Sequence, residues 1–209
     1  MDRSVGHTPV TTRGRCLPDG VRSPKRSVPA IRYGVTMRCE LRRIPGEASL
    51  ADAHAVRRAV FIREQGVSEA EEMDGRDGDA SHVVAYAPPA GENGIAGTGV
   101  SESGDGPRQS DPGGDGPGLR PVGTARLRVP EPGVAKPERV AVLGTYRGEG
   151  IGRRLMRAVE QDARDQGCER ACLHAQTAVE GFYRELGYET TSDVFQEANI
   201  PHVEMEKRL

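Results

Sequence analysis

The segment from Leu143 to Leu155 contains the residue types that most clearly indicate chemistry. It reads LGTYRGEGIGRRL, with Gly148, Gly150 and Gly152 at alternate positions between an apolar run and a helical pattern. A strand, a glycine-rich turn and a helix N-terminus together form an anion site, because free backbone N–H groups converge there and the helix dipole favours negative charge. The segment therefore predicts a binding site for a phosphate, a dinucleotide or another anion.

Two common phosphate-binding motifs do not fit this segment. A P-loop requires G-x-x-x-x-G-K-[ST], whereas neither a lysine nor a Ser/Thr follows Gly152. A dinucleotide fingerprint requires G-x-G-x-x-G, but Arg153 stands where the third glycine belongs. The next predicted strand, RACLHAQ, also ends without the acidic residue that would hold a ribose. These departures disfavour a nucleoside triphosphate and a nicotinamide dinucleotide.

A second motif, FYRELGY, lies about 30 residues downstream, across one predicted strand. The run RGEGIG, Arg147 to Gly152, resembles the coenzyme A pyrophosphate loop of the GNAT N-acetyltransferase superfamily. FYRELGY, Phe182 to Tyr188, resembles the F-Y-x-x-x-G-F signature of the same superfamily. The stretches AVFIREQGVSEAEEMDGRD, KPERVAVLGTYRGEGIG, LHAQ and ANIPHVEM together resemble its ElaA-type branch. The resemblance covers about residues 37–87 and 122–209.

This resemblance implies a fold and a reaction. The implied fold is α/β (mixed α+β), with a central mixed, mostly antiparallel sheet, flanking helices, and a V-shaped splay between the fourth and fifth strands. The implied reaction moves an acetyl group from the co-substrate acetyl-CoA to a primary amine of a small molecule or peptide, without a metal. A non-catalytic acyl-CoA-binding module of the same fold is the alternative, because a binding motif does not by itself establish turnover.

The resemblance also implies which residues contact the coenzyme. The amides of the glycine-rich turn are expected to face the pyrophosphate, with charge-assisted contacts from Arg147 and Arg153. A backbone N–H of the fourth strand, at 141–143, is expected to stabilise the carbonyl oxygen. Gln176 stands where many members have Asn, and its amide also donates and accepts. The predicted set is Ala141, Val142, Leu143, Arg147, Gly148, Glu149, Gly150, Ile151, Gly152, Arg153 and Gln176.

Two residues are predicted to move protons. Tyr183 is the second residue of FYRELGY, and the resemblance implies that it protonates the leaving thiolate. An amine must be neutral to attack a thioester, so a base is useful, and Glu138 at the start of the predicted fourth strand is our first candidate. The alternative interpretations are a half-buried helix tyrosine and a solvated carboxylate at a strand end.

Four residues are predicted to bind the acceptor amine, namely Glu64, Gln65, His174 and His202. Glu64 and Gln65 end the first predicted helix, near where this superfamily usually admits its acceptor. A purely structural role is the alternative interpretation for both histidines. The acidic run EAEEMD, residues 69–74, either attracts a cationic amine or is a solvated loop.

Two stretches are expected to lie outside the folded core. Residues 1–36 carry seven Arg or Lys against two Asp without a sustained apolar period, which predicts a disordered basic extension. Met37 as the natural start is one hypothesis; a basic arm and a targeting peptide are the others. The Gly/Pro-rich residues 88–121 are predicted to be a flexible loop insertion within a domain spanning 37–209.

Hydrophobic periodicity predicts alternating strands and helices. Helices are predicted over residues 50–64, 150–166 and about 179–186, and strands over residues 37–44, 82–87, 123–129, 138–143, 170–176, 189–195 and 202–208. Hairpin strands followed by a βαβ unit indicate a mixed sheet.

Composition narrows the class of protein further. Residues 37–209 carry 22 basic and 29 acidic side chains, which argues against nucleic acid as the partner. A run of about 20 apolar residues is absent from the sequence, and so is a secretory h-region, so no membrane partner is expected. The four cysteines lack zinc spacing and predict reduced thiols in a cytoplasmic protein. A monomer and a homodimer are both compatible with the sequence.

Overall fold

An eight-stranded sheet forms the centre of the fold in the computed structural model, which describes residues 39–44, 50–89 and 118–209. The strand order is β1-β2-β3-β4-β5-β8-β6, and β7 also pairs with β8. Every pair is antiparallel except β4–β5, which confirms the predicted mixed, mostly antiparallel sheet. The strands are β1 (Glu40–Ile44), β2 (Ser81–Ala87), β3 (Arg120–Glu131), β4 (Val134–Val142), β5 (Arg170–Gln176), β6 (Glu189–Thr190), β7 (Phe195–Glu197) and β8 (Ile200–Arg208).

The predicted extension 1–36, Met37 and most of the predicted insertion 88–121 lie outside the described residues. Within the described ranges, no helix is both long enough and apolar enough to cross a membrane. Cys39, Cys168 and Cys172 are free thiols, whereas Cys16 lies outside the described ranges.

The parallel strands β4 and β5 pair only where they begin. Val134 lies opposite Arg170 and Ala135 opposite Ala171, and the described register contains no later pair between these strands. Because β4 continues to Val142 and β5 to Gln176, the two strands diverge over the rest of their lengths. The predicted V-shaped splay between the fourth and fifth strands is therefore confirmed.

Four helices flank the sheet in the described residues: α1 (Ala51–Arg57), α2 (Glu69–Glu72), α3 (Ile151–Asp165) and α4 (Glu180–Arg184). The first continues directly as a π-helix, Arg58–Glu64. The prediction of one helix over residues 50–64 is correct in position, but the regular α-helical geometry fails in its second half. Apolar spacing does not distinguish the two geometries, and π-helical turns occur frequently at functional sites.

The long helix α3 buries the face that the sequence predicted. Ile151, Leu155, Val159 and Ala163 are at most 2% exposed and belong to the main hydrophobic core. At Gly123 in β3, a Cβ atom would lie 3.1 Å from Leu155 Cδ1. Glycine at position 123 therefore lets α3 pack closely on the sheet.

Several predicted boundaries are wrong. β3 begins at Arg120 and β4 at Val134, each earlier than the apolar pattern indicated. The predicted strand 189–195 is instead β6 and β7, which pair with different parts of β8. Ala198 and Asn199 both have positive φ, 50° and 59°, as a tight two-residue hairpin between β7 and β8 requires.

Candidate active site

A cleft of about 550 Å³ opens where β4 and β5 diverge. Its walls come from β4, the end of β5, the π-helix, α2 with the loop that follows it, α4 with the residues just before it, and the β7–β8 hairpin. It brings together many of the predicted site residues: Gln65, Glu138, Ala141, Val142, Arg147, His174, Gln176, Tyr183 and His202. The remaining predicted residues, Glu64, Leu143, Gly148, Glu149, Gly150, Ile151, Gly152 and Arg153, lie outside its lining.

The glycine-rich turn presents open backbone amides at the start of α3. Gly148 and Gly150 have φ of 82° and 76°, the left-handed region that favours glycine. No described side chain caps the helix at Gly150, so the N–H groups of the first turn are free to face an anion. A Cβ at either glycine would meet no described protein atom within 4 Å. The turn is therefore an open amide cradle, and its chemistry fits a pyrophosphate.

The end of this turn packs against the second motif. A Cβ at Gly152 would lie 3.3 Å from Phe182 Cζ, so the absence of a side chain allows α3 and α4 to approach each other. The Ile151 side chain is 2% exposed in the core. For Ile151, only the backbone is therefore available to a coenzyme.

Both arginines that flank the turn form ion pairs. The Arg147 guanidinium donates to the Glu64 carboxylate over 2.7 and 2.8 Å, and its Nε donates to the Val142 carbonyl over 2.9 Å. These hydrogen bonds lower the pKa of Glu64 and raise the pKa of Arg147. Arg153 donates to Glu185 over 2.8 Å. A contact from either guanidinium to a pyrophosphate requires it to exchange this partner.

Tyr183 lies on the cleft wall and is 8% exposed. Its ring makes edge-to-face contacts with Phe182 and Tyr188 at centroid distances of 5.0 and 5.9 Å. Burial raises the pKa of the Tyr183 hydroxyl to about 12, because the charged phenolate is disfavoured away from water. The hydroxyl thus keeps its proton at neutral pH, which is the state a proton donor needs.

Glu138 also lines the cleft, but its carboxylate is held by cationic neighbours. Arg126 Nη2 donates to it over 2.7 Å, and the Arg128 Nε and Lys136 Nζ atoms lie 3.5 and 3.9 Å away. The hydrogen bond from Arg126 occupies Oε2, and the Lys136 ammonium lies beside Oε1. The role of Glu138 as base stays a prediction, and this geometry weakens it.

Arg126 belongs to a buried ion cluster that joins the acidic run to the sheet. It is 1% exposed and contacts Asp74, Asp77 and Glu138 within 3 Å. Arg57, fully buried in α1, contacts Asp77 in the same cluster. The hydrogen bond from Arg126 to Asp74 holds the pKa of that carboxyl far below its ordinary value. Asp74 and Asp77 are therefore structural ion-pair partners.

The rest of the acidic run is similarly engaged. Glu72 is 2% exposed and pairs with Arg57 and Arg139. Glu71 forms a capping box with Ser68 at the start of α2. The structure therefore divides this run, because Glu72 and Asp74 are held by buried arginines whereas Glu69 and Glu71 are exposed.

A β-bulge interrupts β4 beside the cleft. Thr124 pairs with Ala141 and Arg126 with Glu138, so β4 contains one more residue than β3 between these pairs. Arg139 in this bulge has a φ of 53°, which is uncommon for a residue other than glycine. Sequence reasoning missed Arg139 as a cleft residue, because KPERVAVL reads as a regular strand.

Beyond the bulge, one of the backbone N–H groups at 141–143 points into the gap between β4 and β5. The Leu143 N–H donates to the Val122 carbonyl on β3 over 2.9 Å. Amide directions alternate along a strand, so the Val142 N–H points the other way, toward the gap where β5 has diverged. Among residues 141–143, Val142 is therefore the member whose N–H points toward the splay.

The far end of the cleft contains two histidines, a carboxylate and two amides. His174 Nδ1 lies 2.7 Å from the Glu197 carboxylate, and this hydrogen bond lowers the pKa of Glu197. His202 Nδ1 lies 2.8 Å from the Ile200 carbonyl oxygen. Gln176 donates to Gln65 over 2.9 Å, which connects β5 to the end of the π-helix. Glu197 was missed from the sequence because its contact with His174 spans 23 residues.

Comparisons with known proteins agree with this geometry. The acetyltransferase (GNAT) domain family matches residues 118–209. Bacillus subtilis YjcF, named as an uncharacterized N-acetyltransferase, is 33% identical over 162 residues, covering 77% of this chain and 94% of YjcF. A provisionally assigned N-acetyltransferase from Lactobacillus plantarum superposes with a TM-score of 0.63 at 27% identity, covering 82% of this chain and 98% of that one.

Two further structures have the same fold at lower identity. Escherichia coli ElaA superposes with a TM-score of 0.59 at 21% identity, covering 82% of this chain and all of ElaA (100%). A GNAT family acetyltransferase from Elizabethkingia anophelis, crystallised with acetyl-CoA, gives a TM-score of 0.51 at 12% identity, covering 81% and 98% of the two chains.

The splayed sheet and the glycine-rich turn define an acyltransferase fold, and the sequence relatives agree with it. The chain belongs to the GNAT acetyltransferase family, as its sequence motifs predicted.

Proposed function

We propose that this protein transfers the acetyl group of acetyl-CoA to a primary amine of a small molecule or peptide. The observation that carries the proposal is the placement of the open amide cradle of the glycine-rich turn next to a cleft that contains Tyr183. The cradle and the cleft are joined through the packing of Gly152 against Phe182. Donor and acceptor groups would thus meet within one site, and holding both reactants there accounts for much of the rate.

The donor side rests on the amides of Gly148 to Gly152. They fit a pyrophosphate, and the Elizabethkingia relative, which shares the fold, holds acetyl-CoA. Acetyl-CoA supplies a thioester, whose carbonyl carbon is open to attack by an amine. Arg147 and Arg153 would add charge to the cradle after exchanging Glu64 and Glu185.

Two groups of this chain would then act on the charges that develop during the transfer. The Val142 N–H, directed toward the splay, would donate to a carbonyl oxygen as it becomes negative. The Tyr183 hydroxyl, which keeps its proton because it is buried, would donate that proton to the departing thiolate. Gln65, Gln176 and the two histidines would surround the amine at the other end of the cleft.

A thiol-release assay tests the proposal. The purified full chain is incubated with acetyl-CoA and a panel of amines, comprising polyamines, amino sugars, free amino acids and short peptides, and free thiol is measured. We expect release above background with at least one amine. Coenzyme binding by calorimetry without acceptor-dependent release across the panel would instead support the alternative, a non-catalytic acyl-CoA-binding module.

A further inference from the structure

His202 is a buried histidine on the cleft wall, and only one of its two ring nitrogens has a hydrogen-bond partner among the described residues. The residue is 8% exposed and lines the cleft wall. Its Nδ1 lies 2.8 Å from the Ile200 carbonyl oxygen. A carbonyl oxygen can only accept a hydrogen bond, so in the neutral imidazole Nδ1 carries the proton and Nε2 keeps its lone pair. Nε2 has no hydrogen-bond partner among the described residues.

The ring is also held in place by the strands on both sides of β8. In the register, His202 lies opposite Gln176 of β5 and opposite Phe195 of β7. The Phe195 ring stacks on the imidazole with a centroid distance of 6.1 Å and an interplanar angle of 26°. Because the Ile200 oxygen lies two residues away on the same strand, the tautomer and the orientation of the ring are set locally.

The other possible bases in the cleft are already engaged. Glu138 accepts from Arg126 over 2.7 Å, and Glu197 contacts His174 over 2.7 Å. His174 has a carboxylate at each nitrogen, since its Nε2 lies 3.8 Å from Glu204. The ring of His174 is therefore oriented by two carboxylates, Glu197 through a hydrogen bond and Glu204 at a longer distance.

We propose that His202 is the general base that accepts the proton of the attacking amine, a role that rests on the proposed acetyl transfer. Nε2 takes one N–H proton as the amine nitrogen forms its bond to the acetyl carbonyl carbon and the carbon–sulfur bond breaks. Tyr183 gives its proton to the departing sulfur. The imidazolium then releases a proton to water and Tyr183 regains one, so the products are the N-acetyl amide and the free thiol.

Other titratable groups surround this site and shape its pH response. They come from β4, β5, β7, α4, the turn before α3, and α2 with the loop that follows it: Lys136, Glu138, Arg139, His174, Glu197, Tyr183, Arg147, Glu71, Glu72, Asp74 and Arg76. The carboxylates among them are paired with cationic side chains, with His174 or with a helix N-terminus. A protonated imidazole has no lone pair to accept the amine proton, so a histidine base predicts that activity falls on acidification.

The test compares the wild type with His202→Asn and Glu138→Gln, using acetyl-CoA and the best amine of the panel. Asparagine can keep the donor to the Ile200 carbonyl while it removes Nε2. We expect His202→Asn to lower kcat by roughly 10²- to 10⁴-fold. In the wild type kcat/KM should fall as the pH is lowered, and in His202→Asn this fall should be absent. Coenzyme affinity should stay unchanged, and Glu138→Gln should keep the acidic fall.

A second measurement does not depend on turnover. Long-range ¹H–¹⁵N spectra of the imidazoles in the full wild-type chain, without coenzyme, report the tautomer of His202, assigned by its loss in His202→Asn. The expected result is a neutral ring protonated on Nδ1. A ring protonated on Nε2 overturns the proposal, as does His202→Asn turnover with an unchanged acidic fall. If no amine gives thiol release with the wild type, the result contradicts the proposed acetyl transfer itself, and the proposed role of His202, which depends on it, is contradicted as well.

Discussion

Tyr183 holds the proton that it would donate in the proposed reaction, because burial raises the pKa of its hydroxyl to about 12. The Tyr183→Phe variant keeps the ring and its contacts with Phe182 and Tyr188 but has no proton to give. We expect kcat to fall by about ten-fold or more, with little change in the affinity for coenzyme A. Steady-state kinetics and calorimetry of the variant measure the two quantities.

Tyr188→Phe is the matched control for this prediction. Tyr188 is 2% exposed and packs beside Tyr183, but it does not line the cleft. We expect its turnover to match that of the wild type. Equal turnover in Tyr183→Phe would remove the hydroxyl from the mechanism.

The turn before α3 is the element that would hold the pyrophosphate. Gly150→Val places a β-branched side chain beside the amide cradle and at a φ of 76°, which valine rarely adopts. We expect the variant to lose detectable binding of coenzyme A by calorimetry. Gly133→Val controls for the backbone strain, because Gly133 has a φ of 79° in the distant β3–β4 turn. Normal binding by Gly150→Val would contradict the proposed cradle.

The ion pair between Glu64 and Arg147 links the π-helix to the same turn. If Arg147 contacts the pyrophosphate, it must first leave Glu64, so the pair competes with the coenzyme. Both side chains are nearly half exposed, and such pairs contribute about 0.2–1 kcal/mol. Glu64→Gln should therefore tighten coenzyme binding by roughly two- to five-fold.

The control for this second element is Glu180→Gln, which removes a similar ion pair with Arg184. We expect its coenzyme affinity to equal that of the wild type. Affinity in Glu64→Gln that is unchanged or weaker would show that Arg147 does not reach the coenzyme.

The buried ion cluster makes the stability of the whole domain sensitive to acid. Burial acts to raise the pKa of Asp77, but hydrogen bonds from Arg126, Arg57 and His54 outweigh it, and the net pKa lies below the ordinary value of 3.8. The stabilisation from Asp77 is thus fully present above the unfolded-state pKa and is lost as pH falls through the folded-state pKa.

Asp77→Asn tests this account by urea unfolding at a series of pH values. At pH 7 the variant should lose roughly 3–5 kcal/mol of unfolding free energy, because the buried guanidinium groups of Arg57 and Arg126 each lose one carboxylate partner. The difference from the wild type should shrink as pH falls below about 4. Asp79→Asn, at an exposed position in the same loop, should match the wild type throughout. A difference for Asp77→Asn that is independent of pH would contradict the account.

The glycine-rich turn and α3 were predictable because their signals are local. The apolar positions Ile151, Leu155, Val159 and Ala163 follow helical spacing, and all four are buried as that spacing requires. The alternate glycines mark a turn whose backbone dihedrals only glycine adopts easily. The family itself was predicted from the resemblance of RGEGIG and FYRELGY to the motifs of the GNAT superfamily.

The chemistry of the cleft was less accessible from the sequence because it depends on distant contacts. From the sequence, Glu138 was predicted to be a free carboxylate. It lies instead in a cluster whose members are far apart in the sequence, since Arg126 and Asp74 are separated by 52 positions. The π-helix at Arg58–Glu64 and the bulge at Arg139 have no distinct apolar pattern. Only packing shows these features.

The residues alone predicted the glycine-rich turn and α3, since backbone preference and hydrophobic spacing act over a few residues. The family and the role of Tyr183 were predicted from the resemblance of short motifs to the GNAT superfamily. The folded chain was needed to show that pairing between β4 and β5 ends at Ala135, and that the Glu138 carboxylate forms an ion pair with Arg126. It was also needed to show that His202 keeps a free ring nitrogen. Ion pairs and tautomers depend on which groups packing brings within 3 Å of each other, and spacing along the chain does not specify those groups.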